Sequence, residues 1–251
     1  MNVYESEKLL AEYLLFHYGS ADEILPEGYG PREALDFPTR CINECVDLAR
    51  LGKEARALDL GCAVGRATFE LARHCRTVLG IDFSRRFIET AGALQHCGEV
   101  EYERLDEGEL TTRLTARVPR EIERSRVDFA VGDAMNLSHD LGGFDVLLAA
   151  NLIDRLSAPQ RCLARLPTLL KPGGQLVLTS PFTWLEEFTP RSEWLGGFFR
   201  AGQPLKTLDA LHLHLDAAFR LITTRDMPFL IREHARKFQW SIAQATVWIR
   251  K

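Results

Sequence analysis

The sequence predicts an α/β protein with an open, mostly parallel sheet that is preceded by helices and closed by antiparallel strands. Between residues 53 and 180, short apolar runs alternate with helical segments, which is the pattern of βαβ units. The run 144–151 is apolar on both faces, as expected of a central parallel strand. The runs 220–230 and 245–251 lack a full helical crossover between them, which predicts an antiparallel pair at the sheet edge.

Residues 1–52 are predicted to form a helical cap. Apolar residues recur at helical spacing from Leu9 to His17, with charged residues between them. The stretch 25–38 is rich in glycine and proline and is predicted to be a loop. A second helix is predicted over about 39–51, ending at Gly52.

The remaining chain, residues 53–251, forms the predicted α/β core. Its five parallel strands are expected at 55–60, 77–82, 127–133, 144–151 and 175–180, so that the C-terminal pair completes a seven-stranded sheet. Helices are expected between these strands, and the last of them, at 163–170, stops at the KPGG sequence of residues 171–174. We expect a single domain over residues 1–251, because this length buries a sizeable core.

The segment 97–126 interrupts this alternation, where a βαβ unit needs only a short connection. Fourteen of its residues are charged, with both signs mixed. We interpret the segment as a solvated insertion whose expected structure is an extra pair of helices. A lid over a functional site is the alternative.

The composition of the chain excludes several functional classes. Its 251 residues include 31 Lys and Arg against 35 Asp and Glu, and the formal charge of −4 argues against a generic nucleic-acid or anionic-membrane binder. The N-terminus lacks the basic start of an export signal, and the most apolar run is too short to span a bilayer. Six scattered cysteines are therefore expected to be reduced thiols in the cytoplasm. We expect a small-molecule substrate, and the sequence leaves the oligomeric state open.

The most informative stretch, residues 57–72, joins the first strand to its helix through a glycine turn. Asp59 lies at the end of the strand. Gly61 and Gly65 let the backbone turn sharply and approach a ligand closely, and the helix begins at Arg66 with free N–H groups. This turn is a candidate ligand-binding loop.

Two further acids end the next predicted strands. Asp82 lies 23 residues after Asp59, where an acid suits two ribose hydroxyls, and Asp133 ends the third strand. Because ligands of open α/β sheets bind at the carboxyl ends of the strands, we expect these residues to share one nucleoside-binding crevice.

Two classes of ligand compete for this crevice. A dinucleotide fold prefers G-x-G-x-x-G, which lets a pyrophosphate rest on the helix N-terminus. Here the spacing is G-x-x-x-G, with Ala63 in place of the second glycine, and Asp59 puts a negative charge near the place of the phosphate. The combination favours a cationic nucleoside over a diphosphate.

The glycine turn and the acids resemble those of class I S-adenosylmethionine-dependent methyltransferases, whose first motif reads roughly (D/E)-x-G-x-G-x-G. Ala63 and Ala67 replace the second and third glycines here. The resemblance implies a Rossmann-like class I methyltransferase fold, with S-adenosylmethionine as cofactor and S-adenosylhomocysteine as product. The cofactor-binding residues that it implies are Asp59, Gly61, Cys62, Ala63 and Gly65 for the methionine portion, Asp82 for the ribose, Phe83, Asp133 and Ala134 for the adenine, and Asn151.

A closer resemblance extends over almost the whole chain. The segments VYESEKLLAEYLLFHYG, GPREALDFPTRC, FDVLLAANLIDRL, LTSPFTWLEEFTP and MPFLIREHARKFQWSIAQATVW are similar to those of the 4-mercaptohistidine (5-thiohistidine) N1-methyltransferases. That family is similar to the C-terminal domain of the bifunctional ovothiol-biosynthesis enzymes. The resemblance implies methylation of 5-thiohistidine on the ring nitrogen nearer the side chain, which gives ovothiol A. The alternative is the same cofactor with another small imidazole, a thiol or a selenium analogue as acceptor.

Candidate acceptor-site residues come from segments outside the cofactor motifs. Asn151 and Asp154 are predicted to be catalytic, because their position borders the methyl group in this fold. An amino-acid substrate needs an anchor for its carboxylate, preferably arginine, and Arg32 with Asn151 is the preferred pair. The predicted substrate-binding residues are Tyr18, Arg32, Phe37, Arg40, Trp184, Glu186 and His234. For each of them, core packing or simple solvent exposure is the competing interpretation.

No metal site is predicted. Cys41 and Cys45 lack histidine partners at ligand spacing, and His212 and His214 are two residues apart and would point to opposite sides of a helix. Two other functional classes stay open at this point: a non-catalytic cofactor-binding module, and an oxidoreductase that binds a nicotinamide dinucleotide.

Overall fold

The structure is a computed structural model that describes residues 3–26 and 29–251. The helices are α1 (Glu7–Tyr18), α2 (Ala21–Ile24), α3 (Phe37–Asn43), α4 (Arg66–Leu71), α5 (Arg85–Cys97), α6 (Pro159–Leu169) and α7 (Thr207–Leu215). The strands are β1 (Arg56–Leu60), β2 (Thr77–Asp82), β3 (Glu99–Glu107), β4 (Leu110–Arg117), β5 (Val127–Val131), β6 (Phe144–Ala150), β7 (Leu170–Ser180), β8 (Phe198–Arg200), β9 (Gln203–Leu205), β10 (Phe219–His234) and β11 (Lys237–Arg250). Within the described ranges, no helix is both long and apolar enough to cross a membrane.

Seven strands form the central sheet, in the order β10-β11-β7-β6-β1-β2-β5. The five strands from β7 to β5 run parallel, whereas β11 pairs antiparallel with both β7 and β10. This confirms the predicted α/β class with antiparallel strands at the C-terminus. The strand order reverses at β1, which has β6 on one side and β2 on the other, and ligands bind at such a switch point.

Two hydrophobic clusters cover the two faces of the sheet. Along β6, Val146 and Leu148 belong to one cluster, whereas Leu147 and Ala149 belong to the other. All four side chains are fully buried, which is why residues 146–149 are apolar at every position. Burial on both faces fixes the strand, and with it the position of the residues that follow its carboxyl end.

The predicted second helix of the cap is shorter than the sequence indicated. Helix α3 ends at Asn43, and a separate 3₁₀ turn spans Leu48–Arg50. Between them, the buried side chain of Gln175 accepts a hydrogen bond from the N–H of Asp47 at 2.8 Å and donates one to its carbonyl at 2.9 Å. This pairing takes the backbone of Asp47 out of the helical pattern, so the prediction of one helix to residue 51 was wrong.

The expectation of an extra helix pair in the charged insertion was also wrong. Strands β3 and β4 form an antiparallel hairpin that turns at Gly108, where φ is +59°. The charges alternate with apolar residues along β3: Glu99, Glu101 and Glu103 are exposed, whereas Tyr102 is buried. A period of two is typical of a strand, and the high charge content concealed it. The outward face of the insertion is solvated, as the sequence indicated.

Other boundaries move by smaller amounts. Strands β10 and β11 extend to residues 219–234 and 237–250 and meet in a tight hairpin, so they are longer than predicted. Helix α6 begins at Pro159, a residue suited to the first helical turn, and the glycine pair at residues 173–174 lies inside β7 and not between elements.

Candidate functional site

The turn from β1 to α4 is shaped by two left-handed glycines. Gly61 has a φ of +78°, and a Cβ there would lie 3.0 Å from Leu152 Cδ1. Gly65 has a φ of +84°, and a Cβ there would lie 2.6 Å from Phe129 Cζ. Both conformation and space therefore require glycine, and the turn lies directly against the segment that follows β6.

Asp59 lies beneath this turn in a buried position. It is 1% exposed, and its Oδ2 accepts a hydrogen bond from the hydroxyl of Thr68 on α4 at 2.7 Å. Burial raises the pKa of the Asp59 carboxyl to about 7, against the opposing effect of the Thr68 hydrogen bond. A cation beside this carboxyl would favour its charged form, so the site suits the positive end of a ligand.

Asp82 links the two loops at the carboxyl end of β2. Its Oδ2 accepts the N–H of Ala63 at 2.9 Å, and its Oδ1 accepts the N–H of Ser84 at 2.8 Å. Burial raises the pKa of Asp82, and these backbone hydrogen bonds oppose the shift. The N–H of Phe83 also bonds this carboxyl, and the two oxygens together still keep an acceptor position that a ribose hydroxyl could use. Capping of α5 falls to Ser84, whose hydroxyl accepts from Phe87 N–H, so Asp82 is not needed as the cap.

The predicted adenine end of the crevice lies beside these loops. Phe83 follows Asp82, and its ring is 67% exposed at this edge of the sheet. Gly132 N–H donates to the Asp82 carbonyl at 2.9 Å, and Asp133 Oδ1 accepts the N–H of Met135 at 2.8 Å. These bonds bring the end of β5, including the buried Ala134, to the same edge as Asp82.

Asn151 and Asp154 follow the carboxyl end of β6, next to the glycine turn. Asn151 has a φ of +50°, its N–H donates to the Thr179 carbonyl at 2.8 Å, and its Oδ1 accepts the Thr179 hydroxyl at 3.0 Å. Asp154 is 1% exposed, and its Oδ2 accepts the N–H of Thr183 at 3.0 Å. Burial raises the pKa of Asp154, although the adjacent Arg155 opposes this. The structure thus brings both predicted catalytic residues to the switch point.

The N-terminal cap covers this edge of the sheet. The hydroxyl of Tyr18 donates to the Val64 carbonyl inside the glycine turn at 2.8 Å. The hydroxyl of Ser84 donates to the Tyr4 carbonyl at 3.1 Å, and the rings of Tyr13 and Phe87 are 4.9 Å apart. Burial lowers the pKa of His17 to about 3, which keeps its imidazole neutral beside Tyr18. Cap and cofactor loops are therefore one packed assembly.

The other predicted acceptor residues lie in packing or exposed positions. Phe37 is buried 5.0 Å from the ring of Phe229, Arg40 donates to the carbonyls of Glu33 and Pro228 at 2.6 and 3.0 Å, and Trp184 donates to the hydroxyl of Thr207 at 3.0 Å. Arg32 and Glu186 are exposed, and His234 accepts from the Arg236 N–H at 3.3 Å. Among these seven residues, the described hydrogen bonds connect only Tyr18 to the glycine turn, and the substrate-binding role of the rest stays a prediction.

Several residues of the site escaped the sequence analysis. Thr68 and Thr179 hold Asp59 and Asn151, but a lone threonine in a helix or strand carries no sequence signal for such a role. The Tyr4 hydroxyl interacts with Arg155 and lies near Asp82 and Asp154. Tyr4 and Arg155 are far apart in the sequence, so only the folded structure shows that they belong to the site.

The residues of this crevice fit a sulfonium nucleoside better than a pyrophosphate. The buried carboxyl of Asp59 faces the turn, and the first cation of α4, Arg66, pairs with Glu70 at 2.9 Å. Burial also raises the pKa of Cys62 well above its ordinary value, so its thiol is an inert part of the turn. In the described part of the chain, no three His, Cys, Asp or Glu side chains gather as metal ligands.

Comparison with known proteins shows what this part of the chain is similar to. Residues 58–178 match the family model of a methyltransferase domain. The ubiquinone biosynthesis O-methyltransferase of Coxiella burnetii is 25% identical over 128 residues, which are 51% of this chain and 44% of that protein. The trans-aconitate 2-methyltransferase of Deinococcus radiodurans is 32% identical over 129 residues, which are 51% of this chain and 38% of that protein. The match spans less than half the length of each of these relatives.

Solved structures agree on the fold. The [4+2]-cyclase SpnF superimposes with a TM-score of 0.61 at 19% identity, over 99% of this chain and 94% of that chain. The N-methyltransferase NodS from Bradyrhizobium japonicum gives a TM-score of 0.51 at 18% identity, over 81% and 92% of the two chains. At such identities the likeness establishes the fold alone. The fold is therefore the Rossmann-like α/β fold of these structures, and the similarity of residues 58–178 to a methyltransferase domain indicates S-adenosylmethionine as the cofactor.

Proposed function

We propose that the protein is an N-methyltransferase that methylates 5-thiohistidine on the imidazole nitrogen nearer the side chain, giving ovothiol A. The likeness to 5-thiohistidine methyltransferases includes segments outside the cofactor motifs, among them the cap and β10. Tyr18 of the cap binds the glycine turn, and Arg40 of the cap binds the Pro228 carbonyl of β10. This packing of β10 on the cap that holds the glycine turn is the observation on which the proposal depends.

S-adenosylmethionine, when bound, supplies a methyl group on a positively charged sulfur. In the proposal, Asp59 and the turn from Gly61 to Gly65 hold the methionine portion, and Asp82 holds the ribose. Phe83, Asp133 and Ala134 enclose the adenine. The chain therefore fixes the cofactor through groups that are already held in place by Thr68, Ala63 and Ser84.

The acceptor ring needs a nitrogen with a free lone pair, directed at the methyl group and protected from water. Asn151 is suited to orient the ring, because its Oδ1 accepts from Thr179, which directs the amide N–H donors elsewhere. Covalent catalysis is not needed for such a displacement. Holding the ring in place and excluding water are sufficient roles for the residues after β6 and for the cap.

The test is an acceptor panel. The purified protein, with S-adenosylmethionine, is incubated with 5-thiohistidine, histidine, and other small imidazoles, thiols and selenium analogues. Mass spectrometry should show one added methyl group on 5-thiohistidine with an equal amount of S-adenosylhomocysteine. The nuclear Overhauser effect should connect the new methyl to the side-chain methylene, which marks the nearer ring nitrogen.

Two results would contradict this assignment. Preference for plain histidine would exclude thiohistidine as the natural acceptor, and methylation on sulfur would exclude N-methyl transfer. Cofactor binding with no methylated product from any acceptor would indicate a binding module instead.

We also propose that residues 1–251 act as one unit, with the cap of residues 1–52 on the core of residues 53–251. In this proposal the protein works in the cytoplasm on a small-molecule substrate.

A further inference from the structure

We propose that Asp154 and Arg155, two neighbouring side chains of opposite charge after β6, bind the α-amino and α-carboxylate groups of the acceptor. Asp154 would take the ammonium and Arg155 the carboxylate. This inference rests on the proposed function, because it assumes an amino-acid acceptor. It replaces Arg32, which is exposed in a 3₁₀ turn, as the anchor of the carboxylate.

Asp154 has one unfilled acceptor in a buried position. Its Oδ2 accepts the Thr183 N–H at 3.0 Å, whereas its Oδ1 is buried and, among the described residues, has no hydrogen-bond partner of good geometry. The Ser180 hydroxyl lies near enough to the Asp154 carboxyl to favour its charged form, and a carboxylate oxygen can accept a second donor beside it. Buried carboxylate oxygens are normally paired, so the open position on Oδ1 calls for a donor such as an ammonium.

Arg155 offers unused donors beside that oxygen. Its Nη1 donates to the carbonyls of Asp154 and Thr183 at 3.3 and 3.2 Å and lies 3.7 Å from Asp154 Oδ2. The guanidinium also lies 4.7 Å from the ring centre of Phe188, and its side chain is 27% exposed. Among the described residues, two carbonyls and the Tyr4 hydroxyl use three of the five N–H donors, which leaves two for a carboxylate.

The pair lies beside the cofactor crevice. Tyr4 interacts with Arg155 and lies near Asp82, the ribose-binding candidate, while its carbonyl accepts from Ser84. On the other side, the segment from Asn151 to Asp154 packs on Gly61 through Leu152. The pair is therefore placed between the cap and the glycine turn.

The proposed regiochemistry requires a head-group site close to the transferred methyl. The ring nitrogen nearer the side chain is separated from the α-carbon by only three bonds, so the ammonium and carboxylate cannot be bound far away. An adjacent anion and cation match this zwitterion in both charge and spacing, and an arginine can take the carboxylate with two parallel hydrogen bonds.

The experiment compares two ligands on the full chain loaded with S-adenosylhomocysteine. Calorimetry measures the binding of 5-thiohistidine and of its decarboxylated analogue, and the same pair is assayed for methylation with S-adenosylmethionine. The wild-type protein should bind the carboxylate-bearing ligand about 10- to 100-fold more tightly. Arg155→Gln should remove this preference by weakening only 5-thiohistidine. Arg161→Gln, an exposed arginine on α6, is the matched control and should retain the preference.

A second ligand pair tests the acid. The deaminated analogue of 5-thiohistidine, which keeps the carboxylate, should bind the wild-type protein more weakly than 5-thiohistidine, and Asp154→Asn should reduce this difference. Thermal melting of each variant checks that the fold is intact. Arg155→Lys, which keeps the charge but loses the planar fork, should recover only part of the carboxylate preference.

The outcomes separate the two proposals. If product forms but the carboxylate preference is absent from the wild-type protein or survives in Arg155→Gln, the head-group site is refuted and the proposed function stands. If the preference is present and depends on Arg155 but no product forms, the proposed function fails and the site stands. Equal losses for both ligands in Arg155→Gln would show a purely structural role, and no binding of any ligand would contradict both proposals.

Discussion

At the residue scale, three aspartates at the same edge of the sheet differ in surroundings and hence in task. Asp59 is almost fully buried with one hydroxyl partner, and Asp82 is held by backbone N–H groups, including those of Ala63 and Ser84. Asp154 has one oxygen that accepts the Thr183 N–H and one that is open among the residues the structure describes. Burial raises the pKa of all three. A bound cation, or a hydroxyl that donates to the carboxylate, would offset the free-energy cost of burying the charge. A ligand-binding site can therefore hold buried carboxyls that lower the stability of the ligand-free protein.

The pH dependence of stability tests the state of Asp59. Its pKa is about 7 in the folded protein and about 3.9 when unfolded, so the folded protein binds the proton more tightly. The free energy of unfolding should therefore fall as the pH rises from about 4 through 7, by about 4 kcal/mol from this group alone. Asp59→Asn keeps an acceptor for Thr68 and removes the charge, so it should be more stable than the wild type at about pH 8 and similar at about pH 3, below both pKa values.

Urea unfolding of the ligand-free protein at several pH values measures this difference. Asp128→Asn, at an exposed position of β5, is the matched control and should follow the wild type. Asp82 and Asp154, whose pKa values are also raised, make the free energy of unfolding fall with pH in the same direction. The difference between Asp59→Asn and the wild type therefore isolates the contribution of Asp59. If Asp59→Asn and the wild type changed in parallel, the buried carboxyl would not be the source of the pH dependence.

At the element scale, the turn between β1 and α4 depends on glycine for both its conformation and its space. Gly65→Ala places a Cβ 2.6 Å from Phe129 at a φ of +84°, so we expect a loss of about 1–3 kcal/mol of stability and weaker binding of S-adenosylhomocysteine. Gly92→Ala, in the middle of α5 with no atom within 4 Å of the new Cβ, should instead stabilise the protein by about 0.5–1 kcal/mol.

Denaturant unfolding and calorimetry of both variants check this contrast. Opposite signs of the two changes in stability would show that position, and not glycine content, decides the outcome. A Gly65→Ala protein with wild-type stability and affinity would mean that the turn relaxes easily and does not define the ligand crevice.

The elements also show where sequence patterns suffice. The parallel strands and the glycine turn were predictable because hydrophobic runs and turn residues are local signals. The end of α3 was not, because it depends on Gln175, which is 128 residues away from Asp47. The β3–β4 hairpin had a local signal, because Glu99, Glu101 and Glu103 alternate with apolar residues at the two-residue period of a strand. The high charge content of the segment concealed this period.

At the scale of the whole molecule, the site is an outcome of topology. The order of the strands places the glycine turn between the residues that follow β2 and those that follow β6. The cap then binds the turn through Tyr18, and β10 packs on the cap at Arg40. The acids of the cofactor site could be located from the sequence because each ends a strand. Arg155 and Tyr4 could not, because only the closing of the cap over the sheet brings them together.

The central claim is that this crevice takes a sulfonium nucleoside, and calorimetry with S-adenosylmethionine tests it most directly. The wild-type protein should bind this ligand and prefer it to a nicotinamide dinucleotide, and Asp82→Ala should weaken binding by about 1–3 kcal/mol while the exposed Asp128→Ala has no effect. Unchanged affinity in Asp82→Ala, or tighter binding of the dinucleotide, would contradict the account.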